Sequence, residues 1–161
     1  MSSSGIDQDV LCLPLRLKIK AGEEIASFSD EIIVTTDDGS YGRAGLVTEP
    51  LREILDKEAV FEVLAIGPVP MMQAVSEVTR PRGVKTVVSL NPIMVDGTGM
   101  CGACRVQIAG RIKFACVDGP EFDGHQVNYR DLATRLKAYK TFEERAYREY
   151  LSELVTLEGA C

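Results

Sequence analysis

Val60-Phe61-Glu62-Val63-Leu64-Ala65-Ile66-Gly67-Pro68-Val69-Pro70 is an apolar run closed by a glycine–proline turn. A short run of β-branched and large apolar residues bounded by turn residues predicts a buried strand. The turn feeds a helical pattern from about Met71 to Arg80, ended by Pro81-Arg82-Gly83, and Val84 to Leu90 predicts the next strand. Working back, Glu31-Ile32-Ile33-Val34-Thr35-Thr36 predicts a strand and Asp37-Asp38-Gly39-Ser40 a turn. Thr48 reads as an N-cap, with Pro50 in the first turn of a helix reaching about Glu58. Strand, helix, strand, helix, strand is the pattern of a parallel sheet with crossover helices, so the fold class is α/β. The sheet so read is only about three strands wide, narrower than one covered on both faces usually is. The alternation over Leu11–Lys20 is that of an edge strand or a loose arm that fills the gap.

The 161 residues suffice for one domain or two small lobes. With 18 basic and 24 acidic side chains the net charge is −6, which argues against binding a phosphate backbone, so no nucleic-acid partner is expected. No apolar run is long enough to span a bilayer, so no membrane insertion is expected. The start, Met1-Ser2-Ser3-Ser4-Gly5, lacks the basic and apolar regions of a secretory signal. A cytoplasmic, thiol-reducing location is the expectation.

Of the five cysteines, Cys101, Cys104 and Cys116 lie close together, and in a reducing compartment such clustering reads as metal or redox chemistry. They form the pattern Asp96-x4-Cys101-x2-Cys104-x11-Cys116. Gly97, Gly99 and Gly102 let the loop curl, and a β-hairpin across Ala109-Gly110 returns Cys116 to Cys104, so that the three sulfurs converge. The spacing approaches the plant-type C-x4-C-x2-C…C pattern of [2Fe–2S] proteins, with Asp96 where the first cysteine stands. A structural zinc site and unconnected core cysteines are the alternatives. Cys12 and Cys161 lack this context and read as bystanders.

The stretch Val88–Val106, followed by Lys113-Phe114-Ala115-Cys116 and on to His125, resembles the C-terminal half of a flavoprotein family. These are the sulfide dehydrogenase and ferredoxin–NADP oxidoreductase α subunits, relatives of the electron-transfer subunit of dihydroorotate dehydrogenase. The resemblance spans roughly residues 22–142 and is densest over 88–125. It implies Asp96, Cys101, Cys104 and Cys116 as ligands of a [2Fe–2S] cluster, with aspartate first as in the sulfide dehydrogenase-like branch. It implies a nicotinamide-side contact at Gly67-Pro68 and an adenosine-side contact at the Asp37, Gly39, Ser40 turn. From the residues alone, each of these is an ordinary turn. Arg43 is placed to meet a 2′-phosphate or simply to be solvated, while His125 and Met71-Met72 read as structural.

Family members carry FAD on a β-barrel and bind NAD(P). No stretch before Ser29 offers that barrel, and no G-x-G-x-x-G loop occurs. Tight binding of FAD or NAD(P) by this chain alone is therefore not expected. The organisation read from the sequence is an irregular arm (1–21), a partial nucleotide-binding domain of ferredoxin-reductase type (22–90), a [2Fe–2S] domain (91–128) and a helical tail (129–161). The function so implied is the electron-transfer part of a flavin- and NAD(P)-dependent oxidoreductase, inactive by itself, relaying single electrons to an iron–sulfur or flavin partner subunit, with ferredoxin a further partner. A self-standing ferredoxin-like carrier and a zinc-stabilised interaction module are the competing readings. The narrow sheet leaves an edge that invites self-association, with the helical tail from about 142 to 157 as a contact.

Overall fold

A computed structural model describes residues 10–14 and 29–158, with side chains from 29 to 151. The order is β1 (Val10–Pro14), β2 (Glu31–Thr36), β3 (Arg43–Ala44), α1 (Thr48–Lys57), β4 (Glu62–Ile66), α2 (Val69–Thr79), a 3-10 turn (Arg80–Arg82), β5 (Lys85–Ser89), β6 (Arg105–Ile108), β7 (Arg111–Phe114), α3 (Ala115–Asp118), β8 (Glu121–Asp123), α4 (Tyr129–Leu136) and α5 (Lys140–Glu158). The class is α/β. Residues 1–62 with 77–84 and residues 63–76 with 85–161 cluster as two units. No helix among the described residues is long and apolar enough to cross a membrane.

The three strands read from the sequence do not join one sheet. β2 lies between β1 and β3, while β4, β5 and β8 form a second sheet in that order and β6–β7 a third. β1 is parallel to β2, with Val10 opposite Glu31 and Pro14 opposite Thr35, so part of the N-terminal arm does supply a strand. Its proline sits at the end of an edge strand, where a missing N–H costs least. The free side of β5 is taken by β8, antiparallel, with Val87 opposite Asp123 and Ser89 opposite Glu121. A three-residue strand such as β8 carries too little alternation to be read from the sequence.

In the first unit, α1 begins at Thr48 itself and Val47 occupies the cap position without a side-chain bond. Thr48 is buried within the first turn rather than standing at the cap. Glu49 in the first turn and Lys57 in the last complement the helix dipole. Arg82 pairs with Asp56. The helical tail expected from residue 129 onward is present as two helices, separated by a turn over residues 137–139. No glycine or proline marks that break. The bystander reading of Cys12 and Cys161 concerns side chains outside the described residues.

The second unit buries Met72, Val75, Val88, Leu90, Val106 and Leu132. Ser76 Oγ donates to the Met72 carbonyl at 2.8 Å, and Tyr129 Oη lies 2.8 Å from the same Oγ. The two hydroxyls share this bond, and Tyr129 Oη also lies 3.4 Å from the Met72 carbonyl. Gly124 packs on this pair: a Cβ there would meet Ser76 Oγ at 2.5 Å and Val88 Cγ1 at 2.9 Å. Tyr129→Phe is expected to cost about 0.5–1.5 kcal/mol through the lost hydrogen bond. Gly124→Ala is expected to cost about 1–3 kcal/mol through overpacking. Urea denaturation checks both as a lower midpoint at unchanged slope; a Gly124→Ala protein as stable as the parent would contradict the packing argument.

Candidate metal centre

The loop between β5 and β6 carries Asp96, Cys101 and Cys104. Asp96 Oδ1 accepts from the Thr98 amide at 2.8 Å and from Thr98 Oγ1 at 3.1 Å, and Thr98 Oγ1 accepts from the Met100 amide at 3.3 Å. These bonds wind the chain into a tight coil that needs left-handed residues: φ is +76° at Gly97, +83° at Gly99 and +66° at Gly102. The Ala103 amide then points to Cys101 Sγ at 3.5 Å. Cys101 and Asp96 are exposed, Cys104 is buried and Cys116 lies between.

The hairpin returns the chain as read from the sequence. Ala109 and Gly110 both have positive φ, +49° and +75°, as a two-residue turn of the primed type requires. Arg105 pairs with Phe114. The ladder runs one step further, the Ala115 amide bonding the Cys104 carbonyl at 3.1 Å. Cys116 Sγ thereby lies 3.2 Å from Cys104 Sγ. Asp118 clamps this return. It accepts from the Phe114 amide at 2.7 Å and from Lys113 Nζ at 3.2 Å, bracing the single turn of α3 that carries Cys116. Nothing in the sequence pattern marks Asp118: an acid two residues past a cysteine is no signal by itself.

The convergence of three sulfurs on one point is corrected. Among the described residues no group of three or more His, Cys, Asp or Glu side chains is set to hold one metal ion. The donors are instead arranged as two pairs. Cys104 sits 3.2 Å from Cys116, while Cys101 is near enough to Asp96 to help hold its carboxyl down. The hairpin brings Cys116 to Cys104, while Thr98 holds the Asp96 carboxylate within the coil. The Thr98 amide, with the Cys101 thiol and amide, holds Asp96 below the usual carboxylate range. Burial pushes the Cys104 thiol up, but hydrogen bonds from Cys116 outweigh it and hold the thiol below its ordinary value. Cys116 is raised, chiefly because Cys104 holds its proton.

Two pairs of donors fit a [2Fe–2S] cluster, which takes two protein ligands on each iron. A structural zinc ion asks for four donors around one point. Three thiols and a carboxylate kept ionised are also the donor chemistry that iron accepts.

The nucleotide candidates fall in different units. Gly67 and Pro68 join β4 to α2, and the Pro68 carbonyl accepts the first helical amides, Met71 at 2.9 Å and Met72 at 3.1 Å. Asp37, Gly39 and Ser40 form the exposed turn after β2, where Asp38 Oδ1 accepts the Ser40 amide at 3.0 Å. Arg43 is no free cation for a 2′-phosphate: Glu53 lies 2.6 Å and Glu49 3.8 Å from its guanidinium. The His125 amide closes a turn on Asp123 Oδ1 at 2.9 Å.

Residues 91–128 match the family of iron–sulfur cluster binding domains of dihydroorotate dehydrogenase B. The chain is 48% identical over 130 residues to a dihydroorotate dehydrogenase B (NAD(+)) electron transfer subunit homolog of Thermotoga maritima, covering 80% of this chain and 45% of the relative. It is 47% identical over 141 residues to an uncharacterized protein in the adh 3′ region of Clostridium beijerinckii, covering 86% and 48%. Its fold matches a chain from the structure of an NADH-dependent reduced ferredoxin-NADP oxidoreductase, studied for flavin-based electron bifurcation. The TM-score is 0.77 at 42% identity, over 89% of this chain and 52% of that one. The chain therefore spans about half the length of these relatives.

Gly99 offers a test of the loop. A Cβ there would lie 3.1 Å from Val117 Cγ2, whereas one at Gly110 meets nothing within 4 Å, though both glycines are left-handed. Left-handed strain alone costs about 1–2 kcal/mol. Gly99→Ala is expected to lose more stability in urea than Gly110→Ala. Equal losses would mean that Val117 does not constrain the coil.

Proposed function

We propose that this chain is the iron–sulfur electron-transfer part of a flavin- and NAD(P)-dependent oxidoreductase subunit, with Asp96, Cys101, Cys104 and Cys116 as the ligands of a [2Fe–2S] cluster. The observation that carries the reading is the 3.2 Å contact of Cys104 with Cys116, made by the hairpin beside the coil that carries Asp96 and Cys101. The names of the relatives support the wider role, since they describe electron transfer subunits and a ferredoxin-NADP oxidoreductase. A bound cluster supplies one-electron storage and transfer. The protein's own residues do the rest. Cys104, buried in the core, would hold the cluster where its own sulfur is shielded from water. Asp96 and Cys101, both exposed, would hold it where a partner can approach. Exposed Val95, Met100 and Val117, each next to a ligand, give that side an apolar border suited to a dry contact. Aspartate gives iron less charge than thiolate, which favours the reduced form.

Residues 91–128 are the cluster domain in this reading, 22–90 a partial NAD(P)-binding domain touched at Asp37, Gly39, Ser40, Gly67 and Pro68, and 129–161 a tail. FAD and an iron–sulfur or flavin partner belong to the complete enzyme, and its setting is the cytoplasm.

Redox titration of ligand variants tests the assignment. Asp96→Cys is expected to keep the cluster and lower its potential toward the about −400 mV of all-cysteine plant-type clusters. Asp96→Ala is expected to make it labile, and alanine at Cys101, Cys104 or Cys116 to abolish assembly. If Asp96→Ala leaves spectrum, potential and lability unchanged, aspartate is not a ligand.

A further inference from the structure

The Cys101–Cys104 turn is held from outside by a residue that the cluster reading does not use. Arg135 Nη2 donates to the Ala103 carbonyl at 3.2 Å, across 32 residues of chain. The helix that carries it is pinned at its start and along one buried face. At its start, the Asn128 side chain caps α4 by accepting the Asp131 amide at 3.1 Å. The Asn128 amide bonds the Gln107 carbonyl at 2.9 Å, and the Asn128 side chain bonds that of Gln107, tying the cap to β6. Leu132, one turn before Arg135 and on the same face, is 2% exposed. Arg135 therefore approaches the turn from a fixed helix. Its side chain lines a cavity of about 160 Å³ together with Pro92, Ile93, Ala103, Leu132 and Leu136. Among the described residues no carboxylate pairs with it. A guanidinium flanked by apolar side chains is screened less than one in water, so its charge is felt further.

The bonded carbonyl matters. The Ala103 amide points to Cys101 Sγ, and the Ala103 carbonyl shares its peptide group with the amide of Cys104. Hydrogen bonding at one end of a peptide polarises the other. Arg135 thus touches the unit that spaces one candidate ligand from the next.

We propose that Arg135 is a positioning residue for the cluster: its bond to Ala103 sets the Cys101–Cys104 turn and holds a positive charge beside it, stabilising the reduced state. This rests on the cluster reading above. An arginine in the last turn also complements the helix dipole, and that role alone would leave the cluster unaffected.

The test uses the full chain, reconstituted anaerobically with iron and sulfide, in four forms: parent, Arg135→Met, Arg135→Lys and Arg130→Met. Arg130 is an exposed cation of the same helix and serves as control. At a fixed ambient potential the Arg135→Met chain is expected to hold about tenfold less reduced relative to oxidised cluster, a fall of about 59 mV for a one-electron couple. It should also lose iron to a chelator several-fold faster. Arg135→Lys, which keeps the charge, should recover most of the potential but not the slow iron loss. Arg130→Met should match the parent in both. An Arg135→Met chain with the parent's potential and iron-loss rate would overturn the proposal. So would a lysine variant as low in potential as methionine, or an Arg130→Met shift of the same size. A parent chain that takes up neither iron nor sulfide would instead overturn the cluster reading itself.

Discussion

The candidate centre depends on one return of the chain. The β6–β7 hairpin turns over Ala109 and Gly110 and carries its ladder on to Ala115, whose amide meets the Cys104 carbonyl at 3.1 Å. That bond sets Cys116 beside Cys104, next to the coil that carries Asp96 and Cys101. Asp118 braces the return, and α4, capped by Asn128 on β6, buttresses the loop through Arg135. Without the hairpin the four donors would be three residues on a loop and one far along the chain.

This site is self-contained in a way that the nucleotide reading is not. All four donors lie between residues 96 and 116, inside the segment that matches the iron–sulfur binding family. The two candidate nucleotide turns lie in different units, and the chain spans about half the length of its relatives. The neutralisation of Arg43 by Glu53 and Glu49 removes the one cation that the sequence offered for a 2′-phosphate.

What could be read from the residues was local. The apolar runs at 31–36, 62–66 and 85–89, the hairpin and the glycine coil were all legible, because period, turn chemistry and spacing act over a few residues. Which strands share a sheet was not, since pairing is decided by chain segments far apart; the short β8 taking the edge of β5 leaves no periodic trace. The helix break at residues 137–139 has no glycine or proline to announce it. At the site, residue types and spacing pointed to the four donors, but not to the hold of Thr98 on the Asp96 carboxylate. Asp118 and Arg135 act through backbone groups of other segments, so neither stands out in a motif.

Mössbauer spectroscopy of the oxidised chain loaded with iron-57 tests the central claim most directly. One pair of donors is thiolate with thiolate and the other carboxylate with thiolate, so the account predicts two iron environments in equal amount, with iron and acid-labile sulfide in equal number. A single iron environment, or iron bound without sulfide, would contradict it.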